Sequence, residues 1–174
     1  MRILLVALLL ASSPLLPAEI VSQRKAVEGE PQQEYFLIGP QDGNAPRSGF
    51  KLLLVMPGGP GTANFNPFVT NMARHALGAD FIVAQLVAVK WADNQRIIWP
   101  TEGSKVDDMN FTTEEFLEAV IQDVGKLRKI DPEHIYTLSW SSGGPAAYAA
   151  SLEVDEIRGS FVAMAVFKPA HLPD

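Results

Sequence analysis

Residues 136–144 read YTLSWSSGG. An apolar run gives way to three serines and two glycines, with a tryptophan among them. A serine hydroxyl attacks a carbonyl carbon only when a turn presents it and a base takes its proton. A strand that reverses at once into a helix can present it. The residue at the apex is strained, and the residues two before and two after approach each other closely. Those neighbours must be small. Around Ser141 they are Ser139 and Gly143; around Ser142 they are Trp140 and Gly144, and the indole would clash. Ser141 is therefore the expected nucleophile. Its hydroxyl would stand at the start of a helix, whose N–H groups favour negative charge.

Acyl transfer also needs donors for the oxyanion of the tetrahedral intermediate. The N–H of the residue after the nucleophile, Ser142, is one. PGGPG at 57–61 follows an apolar run and can supply the other. Pro60 has no N–H, so Gly59 is the first choice and Gly61 stands behind it. Trp140, beside the nucleophile, is a candidate to line the substrate pocket, packing being the alternative. Trp99 and Trp91 are candidates for an aromatic- or sugar-binding wall, with core packing as the alternative.

The elements around these residues alternate. EYFLI (34–38) reads as a short strand and FKLLLVMP (50–57) as one buried on both faces. PFVTNMARHAL (67–77) has helical spacing and 81–89 is again strand-like, followed by an irregular stretch over 90–110. Thr112 and Glu115 form a capping box for an amphipathic helix carrying Phe116, Leu117, Val120, Ile121, Val124 and Leu127. Glu114, Glu115 and Glu118 read as its solvated face and cap. Residues 135–138 and 159–167 read as strands, with an Ala-rich helix from Gly144 between them. Alternating strands and helices imply an α/β fold with a mostly parallel sheet, whose working loops lie beyond the carboxyl ends of the strands. Residues 57–66, 90–110 and 139–144 are three such loops.

Composition narrows the rest. The 174 residues are 47% hydrophobic and 20% charged, with a net charge of −6. Basic residues are scattered, giving no electrostatic reason to expect nucleic acid. Without cysteine, thiol catalysis, disulfides and Cys-based zinc sites are excluded. His75, His134 and His171 show no metal-ligand spacing, and no metal or organic cofactor is implied. Residues 1–18 carry a basic Arg2, an apolar run and small residues near Ala18, the pattern of a cleaved signal peptide. The apolar run is short for a membrane span. A retained anchor and a buried helix are the alternatives. Export, to the periplasm or outside the cell, is the expectation. Residues 19–33 are polar and read as a loose lead-in, leaving 34–174 as the domain. Asn110-Phe111-Thr112 matches a glycosylation sequon, which matters only in a eukaryotic secretory route.

With these motifs in hand, the chain resembles the α/β-hydrolases over about residues 50–167. It looks most like secreted esterases of the dienelactone-hydrolase, polyhydroxybutyrate-depolymerase and feruloyl-esterase type. Asp131-Pro132 with Ile135-Tyr136 running into 139–144 carries the resemblance, together with LLLVMPGGPG (52–61). The latter also looks like the HGGPG segment of proline iminopeptidases. Ser139 stands where the family usually has glycine, and Pro57 where it usually has histidine. The resemblance implies a serine esterase working through an acyl-enzyme on a small-molecule or polymer ester.

In that family the nucleophile is followed by an acid and then a histidine. After Ser141 come Glu153, Asp155, Glu156, His171 and Asp174. The first three fall in a connection to the opposite end of the sheet, and His171 leaves no room for the intervening strands. The expectation is an incomplete α/β-hydrolase fold lacking its C-terminal strands, without the acid and histidine of the triad. A catalytically inactive binding or relic protein is the alternative. Neither the ester nor the oligomeric state is legible.

Overall fold

A computed structural model describes residues 19–41 and 45–166; residues 1–18, where a signal peptide is expected, and His171 and Asp174 lie outside them. Among the described residues six strands form one sheet in the order β1-β2-β4-β3-β5-β6. The apolar run after Gly49 becomes β3 (Phe50–Met56), buried at all but one position. It pairs in parallel with β4 (Phe81–Leu86) on one side and β5 (Ile130–Trp140) on the other. β6 (Gly159–Ala163) pairs in parallel with β5 at the sheet edge. β5 begins at Ile130, earlier than the sequence pattern suggests, because an irregularity in register lets Asp131-Pro132 enter the strand.

The polar segment expected to be a loose lead-in is ordered. β1 (Ile20–Val27) and β2 (Glu30–Pro40) form an antiparallel hairpin, and β2 pairs antiparallel with β4. Gly29 turns the hairpin at φ 84°, a conformation glycine adopts without strain. β1 is an edge strand with half its residues exposed. Polar and charged side chains suit such an edge, since they discourage pairing with another chain. That composition is what hid the strand.

Helix α1 (Asn66–Ala76) covers one face, with Val69 and Ala73 against Ile38, Leu53, Val55 and Val83. Helices α2 (Thr113–Leu127) and α3 (Gly144–Glu153) cover the other. The Thr112 hydroxyl accepts from the Glu115 N–H while the Glu115 carboxylate accepts from the Thr112 N–H, closing the expected capping box. Phe116, Leu117, Val120, Ile121 and Val124 form the buried stripe. Glu114 departs from expectation: it is only 6% exposed, and neither carboxylate oxygen has a hydrogen-bond partner. The helix entry that exposes Glu115 turns Glu114 inward.

Candidate active site

β3 leads through α1 to β4 on one side, and β4 leads through α2 back past β3 to β5, the two helices lying on opposite faces of the sheet. The strand order therefore reverses between β3 and β5, and in open α/β sheets ligands bind beyond the carboxyl ends of the strands at such a point. Met56 pairs with Ser139 at that end, and Trp140 pairs with Ala163. Residues 57–61, 87–112 and 141–143 thus share one edge of the sheet.

Ser141 follows β5 directly and sits at φ 53°. Left-handed backbone in a non-glycine residue stores strain, and such residues cluster at functional sites. A single 3-10 turn over Ser141–Gly143 leads straight into α3. The close approach expected of the flanking residues is present: a Cβ added to Gly143 would stand 3.3 Å from the Ser139 Cβ. Ser139 is fully buried with its hydroxyl unpartnered. Ser141 is exposed.

The glycine loop meets this turn. Gly59 and Gly61 adopt φ 59° and 64°. The Ser142 hydroxyl donates to the Gly59 carbonyl at 2.8 Å. A Cβ on Gly58 would come within 2.6 Å of the Trp140 ring and carbonyl, so the loop lies directly on the end of β5. Gly59 and Ser142 are thus in direct contact, and Ser141 precedes Ser142 on the same turn.

The tryptophans separate. Trp140 makes edge contacts with Phe65 and Phe68, at ring-centre distances of 5.5 and 5.7 Å. With Met72, Leu138, Ala163 and Met164 they line an open, apolar hollow of about 480 Å³. Met164, at its rim, has φ 51°. Trp99 does not line that hollow. It is 3% exposed, and its indole N–H donates to the Pro57 carbonyl at 2.9 Å. It belongs to the core beneath the loop. Trp91 packs edge-on against Phe111 at 4.8 Å. The loop's second anchor, Ala88 donating to the Gly61 carbonyl at 2.9 Å, had no sequence signal.

Two histidines fall among the described residues. His134 sits at the start of β5, its Nδ1 3.0 Å from the Asp131 carboxylate. Seven residues of strand at about 3.3 Å each put it roughly 20 Å from Ser141. The Glu133 N–H, and then His134, hold the Asp131 carboxyl below its usual range. His75 is exposed near the end of α1. No histidine hydrogen-bonds Ser141 among the described residues, and no group of three or more His, Asp or Glu is arranged to hold a metal there. No described helix is long and apolar enough to cross a membrane.

No family model matches the chain, and no curated protein matches it in sequence. Solved structures do. A bacterial heroin esterase superposes with a TM-score of 0.59 at 21% identity, covering 86% of this chain and 45% of the other. FrmB, an S-formylglutathione hydrolase from Staphylococcus aureus, gives 0.60 at 16% identity, covering 86% and 58%. EstE1, a thermostable carboxylesterase cloned from a metagenomic library, gives 0.54 at 15%, covering 84% and 47%. The fold is a partial α/β-hydrolase fold. The chain spans about half the length of these proteins. In this fold the tight turn after β5 forms an elbow, and residues 57–61 are the loop that faces it.

Proposed function

We propose that the chain carries the nucleophile half of a serine hydrolase that cleaves esters through an acyl-enzyme. The observation that carries this reading is Ser141, strained at φ 53° on the elbow beside a glycine loop. Ser141 Oγ attacks the ester carbonyl carbon and loses its proton to a base. The N–H groups of Ser142 and Gly59 hold the oxyanion. Collapse of the tetrahedral intermediate expels the alcohol, which takes up the proton, and water then releases the acid and regenerates the serine. The base and its acid partner lie outside the described residues. The apolar hollow beside Trp140 takes the apolar part of the ester, since its volume falls in the range of small-molecule sites, about 300–1,000 Å³. The fold likeness to solved esterases supports the reaction class. The leader pattern at residues 1–18 supports export, which N-terminal sequencing of the mature protein tests.

Labelling with a fluorophosphonate tests the nucleophile. Label on the folded wild-type protein that disappears in Ser141→Ala supports it. Folded protein that takes no label overturns it and favours a non-catalytic binding protein.

A further inference from the structure

The loop that faces the nucleophile is held by two side chains outside it. From the core side, the Trp99 indole N–H donates to the Pro57 carbonyl at 2.9 Å. From the solvent side, the Ser142 hydroxyl donates to the Gly59 carbonyl at 2.8 Å. These are the first and third residues of the PGGPG segment, so the bonds fix the Pro57–Gly58 and Gly59–Pro60 peptide planes, which flank the peptide that carries the Gly59 N–H. The Gly58 position is itself constrained, because any Cβ there would strike Trp140.

The loop's own chemistry makes such outside support necessary. Three glycines leave the backbone with wide conformational freedom. Pro57 and Pro60 remove two N–H donors that could have bonded locally. The internal bond is one turn, Gly61 N–H to the Gly58 carbonyl at 3.1 Å. An oxyanion donor helps catalysis only if it is already aimed before charge develops. Holding a glycine-rich segment in one geometry removes entropy that would otherwise be lost when substrate binds.

Trp99 is suited to the buried side. It is large and almost fully enclosed. Its ring, with Ile98 and Ala88, closes on Gly61: a Cβ at Gly61 would lie 2.6 Å from Ala88 Cβ and 3.0 Å from the ring. Pro57 offers a carbonyl acceptor but no N–H, and the indole, a donor only, matches it. Ser142 covers the carbonyl of Gly59, whose following residue is Pro60.

We infer that Trp99 and Ser142 are positioning residues, a two-sided clamp that sets the Gly59 geometry opposite Ser141. The inference rests on the nucleophile reading for its catalytic meaning, but the clamp has its own readout. Trp99→Phe keeps the bulk and removes the N–H. Ser142→Ala removes the hydroxyl, and Ser142→Thr restores it. Amide hydrogen exchange at Gly61 and Ala88 reports loop opening in the free 174-residue protein. Trp99→Phe and Ser142→Ala should each speed that exchange about tenfold, with Ser142→Thr near wild type and exchange within β3 and β5 unchanged. Their second-order labelling rate by a fluorophosphonate should fall by a similar factor, about tenfold. Loop exchange at the wild-type rate in both variants overturns the clamp. A wild-type labelling rate in both, on protein whose Ser141 does label, overturns its positioning role while leaving the nucleophile intact. If Ser141 never labels but loop exchange rises, the clamp stands and the serine-hydrolase reading fails.

Discussion

A Cβ on Gly143 would stand 2.6 Å from the carbonyl oxygen of Met56. The 3-10 turn that leads into α3 is therefore seated directly on the end of β3, with no room for a side chain. Gly143→Ala must push the elbow away from the sheet. Overpacking of this kind costs about 1–3 kcal/mol, and urea unfolding should show a loss in that range. The same change should displace Ser141 and slow its labelling.

Ser141 pays for its position in backbone strain, as its φ of 53° shows. Ser141→Gly should relieve that strain and stabilise the protein by about 1 kcal/mol, while removing the hydroxyl. For a domain of this size that is a rise in Tm of about 3 °C. Ser141→Ala should lose labelling without that rise, because alanine bears the same strain. Equal melting temperatures for the two variants would argue that the turn is relaxed.

Glu114 should make stability depend on pH. Burial penalises its charged form and raises its pKa from 4.5 to about 7, with Glu153 adding repulsion. The folded value lies above the unfolded one. Its contribution is therefore fully present below about pH 4.5 and is lost as pH rises through 7. Glu114→Gln should flatten the stability profile between these limits and raise stability at pH 8 by about 3 kcal/mol. A profile unchanged in slope between wild type and variant would place the carboxylate in contact with water.

Tyr35 ties the hairpin to α2. Its buried hydroxyl donates to the Asp123 carboxylate at 2.6 Å. Burial, and then Asp123, push its pKa upward. Tyr35→Phe leaves a charged acceptor short of a donor and should cost about 1–3 kcal/mol by chemical denaturation. Tyr35 should also resist ionisation until the protein unfolds, which absorbance at alkaline pH can follow.

Much of the fold was legible because its signals are local. β3 is a bare apolar run, α2 has both a capping box and a 3.6-residue stripe, and 139–143 contains small residues where a tight turn needs them. β1 and the start of β2 were not legible, because an edge strand facing water carries no apolar alternation to read, whereas the apolar 34–38 part of β2 was. Glu114 misled for a related reason. Its neighbour Glu115 really is the cap, and one residue of rotation separates a solvated carboxylate from a buried one.

At the site, the sequence by itself determined which serine can stand on the elbow, since only Ser141 has small neighbours on both sides. It also determined that the facing loop is glycine-rich and short of N–H donors. Only the tertiary structure decided what holds that loop. Trp99 lies 42 residues beyond Pro57, and Ser142 lies 83 beyond Gly59. Hydrogen bonds across such separations depend on how strands order themselves in the sheet. The same assembly sent Trp140 to the hollow and Trp99 to the core, a choice that residue type could not make because an indole serves either place equally well.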